Sequence, residues 1–422
     1  MFGKFCWFFL AGLLSLSGGD AFGQQSIRLR PMRVEEGGRG AAERNRWSVG
    51  TTLSLSGRYE DNFFQTNDNE HTVYTYLIRP GLQLDYETAK SIVSLLYSVD
   101  VHEYQDQDGG PEGAADDDDF IGHTLALNME TSPTPKLTFR LEDSLLVTRE
   151  ENKADRFTNE VGRDRYFLNR FTPGVHYRLN DRFSAALSYT SLVLDYKRDT
   201  DQDSVGHRGM WEGYYDLSPT AAIGLNYQYW QRDYDVEDND YAAHQGELTF
   251  NTRGKFIELE AGAGYQNRDF DAGDRSSEDT FNYRFVLSGR TADTPMGPRS
   301  YLRLGFGQNF NNSGLRDDFF EALQFEATAG HVFRDRLLFE IEGLYLNADY
   351  PQQTVLLANG ERLDREDDRY QVNASIAYQI RRWMDLVLTG GYENRDSNLP
   401  NFDFDSAYVQ LALNAFYDLG RR

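Results

Sequence analysis

From Trp47 to Tyr417 the chain alternates apolar and polar residues in short stretches, and no other feature restricts its fold so sharply. In the first stretch Trp47, Val49, Thr51, Leu53, Leu55, Gly57 and Tyr59 share one parity, and Ser48, Gly50, Thr52, Ser54, Ser56 and Arg58 share the other. The period of two returns in Leu137, Phe139 and Leu141 against Thr138, Arg140 and Glu142, and in Val372, Ala374, Ile376 and Tyr378 against Gln371, Asn373, Ser375 and Gln379. Successive side chains on a strand point to opposite faces, so each stretch reads as a β-strand with one face for lipid and one for water. In lipid such a sheet must close on itself, because an open edge would leave backbone groups unpaired.

The connections set the topology. Short ones (Glu87 to Lys90, Thr131 to Pro135, Asn180-Asp181, Ser218-Pro219, Arg253-Gly254, Arg334-Asp335 and Arg381-Arg382) carry turn residues and little else. Between them fall long, acidic ones: Asp61 to Thr72, Gln105 to Asp119, Glu150 to Gly162, Asp269 to Asp279, Asp349 to Asp368 and Asp396 to Asp403. Outer-membrane barrels place short turns in the periplasm and long loops outside. The fold expected is all-β: a transmembrane antiparallel β-barrel of about 18 strands, or about 16 if Tyr166–Leu179 and Tyr241–Asn251, whose faces are less distinct, are not strands. A soluble propeller would also alternate, but no fixed repeat runs through the chain.

Lys4, the apolar run Phe5–Leu16 and the small segment Ala21-Phe22-Gly23 read as a signal peptide over residues 1–23. Residues 24–46 read as a disordered periplasmic leader carrying Arg28, Arg30 and Arg33, and residues 47–422 as the barrel, in the outer membrane of a Gram-negative bacterium. The one cysteine, Cys6, falls in the removed segment, which excludes thiol chemistry. The net charge of -24 excludes nucleic acid as a partner. A mean hydropathy of -0.64 still suits a barrel, since only alternate residues of each strand meet lipid. Aromatic residues make up 14% of the chain, and Tyr59, Tyr74, Tyr86, Tyr104, Tyr177, Tyr265, Tyr392 and Tyr417 near strand ends read as interfacial girdles.

The polar parity then lines a lumen. Its candidates are Arg58, Arg140, Glu142, Arg178, Trp230, Glu258, Glu260, Arg284, Arg303, Glu340 and Glu342, with Arg170, Arg268, Arg290, Glu326 and Tyr301 on the same face. A lining of both signs means a wet interior, whose charges either shape a path for hydrated solutes or pair to fill a blocked barrel. Gly262 and Gly264, two apart on this parity, mark a wall bend or clearance. Asp106, Asp108 and Asp116–Asp119, and Asp199, Asp201 and Asp203, lack EF-hand spacing and read as solvated loop charge, with divalent-cation binding, as in calcium crosslinking to lipopolysaccharide, the alternative use of the same residues. The seven histidines are scattered without metal-ligand spacing, and no nucleophile–base set is present, so neither enzyme activity nor a cofactor is expected.

Two segments resemble a known family: Gly57-Arg58-Tyr59-Glu60-Asp61-Asn62-Phe63-Phe64 leading to Arg79-Pro80-Gly81-Leu82, and Gly391-Tyr392-Glu393-Asn394-Arg395-Asp396-Ser397-Asn398-Leu399-Pro400 before Phe402-Asp403-Phe404-Asp405. Together they resemble the outer-membrane β-barrel porins found with exopolysaccharide synthesis systems. One departure is the end of the chain, which runs past Phe416 and Tyr417 to Arg422, where such barrels commonly finish on an aromatic residue. The resemblance implies passage or secretion of exopolysaccharide, with lipopolysaccharide around the barrel and periplasmic export components as partners. The alternatives are a general diffusion porin for small polar solutes, and a surface structural or adhesive barrel with a closed lumen.

Overall fold

The computed structural model describes residues 46–68, 70–108, 119–149, 165–197, 203–235, 240–271, 277–312, 319–356, 362–399 and 402–421. The strands begin with β1 (Arg46–Glu60), β2 (Val73–Glu87), β3 (Ser91–Asp106), β4 (Phe120–Thr134), β5 (Leu137–Thr148) and β6 (Tyr166–Arg178). β7 (Phe183–Tyr196), β8 (Ser204–Ser218), β9 (Ala221–Tyr234), β10 (Tyr241–Arg253), β11 (Ile257–Phe270) and β12 (Glu278–Arg290) follow. A short hairpin of β13 (Asp293–Thr294) and β14 (Gly297–Pro298) comes before β15 (Ser300–Asn312), β16 (Phe319–Phe333) and β17 (Leu337–Leu356). β18 (Arg362–Arg381), β19 (Met384–Ser397) and β20 (Phe404–Arg421) complete the chain.

Apart from β13 and β14, all strands join one 18-stranded sheet, each antiparallel to its sequence neighbours, and β1 pairs with β20 to close it. Tyr166–Leu179 and Tyr241–Asn251 are strands, which gives 18 and not 16. With strands about 4.8 Å apart and tilted about 40°, such a barrel has a backbone diameter of roughly 36 Å.

Register sorts the side chains as the alternation requires. Leu53 sits opposite Pro80 and Leu55 opposite Ile78, and Leu53, Leu55 and Ile78 are exposed on the outer surface. Two aromatic pairs bracket this apolar belt on β1 and β2: Trp47 with Tyr86 (centroids 4.4 Å apart) at the periplasmic end and Tyr59 with Tyr74 (5.3 Å) at the outer end. Amphipathic rings of this kind settle at the two bilayer interfaces. Tyr104 is a correction: it lies on the inner face, 7% exposed, beside the ring of His102. The turn between β16 and β17 places Arg334 (φ 49°) and Asp335 (φ 57°) both in left-handed backbone, the signature of a type I′ hairpin turn.

The connection expected from Asp349 to Asp368 is instead mostly strand. β17 continues to Leu356 and β18 begins at Arg362, so the two 20-residue strands project well beyond a bilayer. The expected signal peptide and leader, Asp116–Asp118, Asp199, Asp201 and the connection Glu150–Gly162 lie outside the described residues.

Candidate functional site

The inner wall is the candidate site, and all eleven lumen candidates lie on its parity. Arg140 Nε donates to Glu130 at 2.7 Å, with Glu142 two residues along the same face. Arg284 pairs with Glu247 at 3.0 Å, and Arg253 holds Glu258 at 2.6 Å. Arg79 grips Asp100 through Nε (2.6 Å) and Nη2 (2.7 Å). Tyr301 donates its hydroxyl to Glu340. Glu260 and Glu342 are half-buried, opposite Val286 and Asn373, and Arg178 is exposed near the periplasmic end of β6. Thus Arg303, Glu258 and Glu340 are brought together at one end of the barrel, whereas Arg58, Arg178 and Trp230 stand apart.

Several of these contacts skip a strand, and glycine makes the room. Tyr301 on β15 reaches across Gly330 on β16 to Glu340 on β17, and a Cβ at Gly330 would overlap the tyrosine ring. Glu247 on β10 reaches Arg284 on β12 over Gly262, where a Cβ would overlap the carboxylate. Of the two readings of Gly262, clearance is therefore the one the wall uses. Tyr408 on β20 crosses Gly391 to Asn373 on β18, its hydroxyl 2.9 Å from Oδ1. Side chains joined in this way run along the wall instead of standing into the barrel. In these three contacts the long side chain is also fixed at its far end, which preorganises that part of the lining.

Towards the outer end, guanidinium groups lie against rings. Arg58 stands 3.9 Å from the Tyr408 centroid, Arg208 5.0 Å from Trp230, Arg268 4.3 Å from Tyr241 and Arg395 4.6 Å from Phe404. Arg365 lies between Tyr350 (4.4 Å) and Phe402 (3.7 Å) and donates to Asp367 at 2.9 Å. These distances are within the range for cation–π attraction. Trp230 is 4% exposed, its indole covered, with Arg208 lying against it.

At the periplasmic end, the connection between β12 and β15 folds inward. Thr294 Oγ1 donates to the Gly297 carbonyl at 2.7 Å, and Gly297 takes φ 135°, a conformation that a Cβ would strain. The turn drives Met296, 4% exposed, onto Val332, Leu338 and Ala377 of the inner wall. This tongue lies against the inner wall at the periplasmic mouth. The sequence reading missed it because Pro295-Met296-Gly297-Pro298 has no period; the two prolines around a glycine were its only signal.

A family model described as "Putative beta-barrel porin 2" matches residues 321–416, which fall in β16 to β20. No curated protein matches the chain. Among solved structures the chain is similar to a BenF-like porin from Pseudomonas fluorescens, with 10% identity and TM-score 0.49, over 87% of this chain and 99% of that one. It is also similar to Acinetobacter baumannii OccAB4 (14%, TM-score 0.47, over 89% and 98%) and to Pseudomonas aeruginosa OccK7 (12%, 0.46, over 89% and 99%). A closed antiparallel barrel with an apolar outer belt between aromatic girdles is an outer-membrane architecture, and the chain is an outer-membrane protein of a Gram-negative cell.

Proposed function

We propose that the protein is a porin through which small polar solutes diffuse passively across the outer membrane. The observation that carries this reading is that inner-wall side chains are joined sideways across glycines, by the Glu247–Arg284 ion pair and by tyrosine hydrogen bonds, which keeps a mixed-sign lining flat against a wide barrel. Barrels of 16 to 18 strands are too wide for wall side chains to fill and hold an aqueous channel. The lining offers donors and acceptors that replace part of a solute's hydration shell.

Secretion of exopolysaccharide, implied by the resemblance, draws no support from the description of the matched family model. The tongue also stands at the mouth that a polymer would enter. The test is swelling of proteoliposomes in isosmotic sugars of increasing size. A monosaccharide should enter quickly, a disaccharide more slowly, and a long dextran should be excluded. No entry of any sugar through a folded barrel would overturn the porin reading, and ready entry of dextran would move it to polymer passage.

A further inference from the structure

We infer that the periplasmic mouth holds a binding site for one small amphipathic monoanion, a carboxylate on a short apolar body. The inference deepens the porin reading and rests on it for its role, which is to hold such a solute where it leaves the pore.

Between the tongue, the β10–β11 turn and the inner wall lies a cavity of ≈350 Å³. That volume is at the lower end of the range of about 300–1,000 Å³ for small-molecule sites, enough for one small ligand. Phe256, Met296 and Leu338 supply apolar lining. Two carboxylates also line it, but each is engaged: Glu258 by Arg253, and Glu340 by the Tyr301 hydroxyl. Lys255, Arg290 and Arg303 line the same cavity, and among the described residues none of the three forms an ion pair. Lys255 Nζ lies 4.9 Å from the centroid of the Phe256 ring.

Three cations without carboxylate partners around an apolar hollow call for an occupant that is anionic at one end and apolar at the other. A dication or a neutral sugar would leave these charges uncompensated, and a polyanion would place charge against Met296 and Leu338. The Arg-rich segment of this chain before Arg46 brings like charge and is a poor occupant. Arg303 is half-buried, and a guanidinium–carboxylate pair formed there is among the stronger polar contacts.

The experiment uses the full mature chain in lipid nanodiscs with sodium hexanoate as probe, followed by saturation-transfer NMR, with hexylammonium as the charge-reversed control. Hexanoate should bind saturably, hexylammonium should not displace it, and Arg290→Gln with Arg303→Gln together should weaken binding about a hundredfold or more, since each charge-assisted contact contributes about 1.5–3 kcal/mol. Met296→Trp, which fills the cavity while remaining apolar, should abolish binding. Unsaturable binding, equal competition by hexylammonium, or unchanged affinity in the double variant would overturn the site. Conductance of the wild-type preparation separates the two claims: a conducting wild-type barrel without hexanoate binding refutes the site alone, and a non-conducting one refutes the porin reading.

Discussion

Replacing Gly330 by Ala tests the idea that glycines let wall side chains lie flat. In the native wall the Tyr301 ring occupies the space where a Cβ at residue 330 would stand, and its hydroxyl donates to Glu340. Two responses are open to the variant. If the ring swings away, a hydrogen bond to a charged group is lost, at about 1.5–3 kcal/mol. If it stays, the overpacked contact costs about 1–3 kcal/mol. Alanine returns about 0.5–1 kcal/mol through the smaller backbone entropy it loses in a strand. The net cost of Gly330→Ala is therefore about 1–2 kcal/mol. In a Tyr301→Ala background the obstacle is gone, and the same substitution should be neutral or stabilising by up to about 1 kcal/mol. The cycle should close with an interaction energy of about 1–3 kcal/mol, read from urea unfolding midpoints of wild type, both single variants and the double variant refolded in phospholipid vesicles. An interaction energy below about 0.5 kcal/mol, the ordinary scatter between independent sites, would refute the reasoning.

Other predictions address the two faces and the tongue. Arg140→Ala should shift the reversal potential in a salt gradient towards cation preference and Glu342→Ala towards anion preference, with the barrel still folded; no shift in either places both off the conduction path. Leu248→Arg sets a charge at the middle of β10 on the lipid face, where the leucine is 63% exposed, and should cost about 2–4 kcal/mol, seen as poorer folding into vesicles. Unimpaired folding of that variant would contradict the assigned parity. Gly297→Ala, forced to φ 135°, should cost about 1–3 kcal/mol locally and loosen the seat of Met296. Single-channel conductance should then rise, and an unchanged conductance would mean that the tongue does not constrict the path.

Much of this architecture is legible in the sequence because lipid enforces it. Wherever one face of a strand meets hydrocarbon, a residue of the wrong polarity is costly, so Trp47–Tyr59 and Gln371–Ile380 announce their faces plainly. Beyond the bilayer that pressure ends. β17 and β18 continue there with Tyr350, Arg365 and Asp367 buried, held by stacking and ion pairing that leave no apolar alternation to read, and an acidic loop was the expectation. Parity assigns a residue to the inner face but not its partner. Glu247 and Arg284 stand on strands that are not neighbours, and only Gly262 between them hinted at the contact. Trp230 likewise gave its face but not its burial beneath Arg208. The tongue is stabilised by a turn and one methionine contact, neither of which has a period.

Single-channel recording of the purified, folded barrel in a planar bilayer tests the central claim most directly. The account predicts stable, ohmic conductance steps that increase when the tongue is shortened. A barrel that is folded and inserted yet carries no current, with or without the tongue, would contradict it and leave a closed structural barrel in its place.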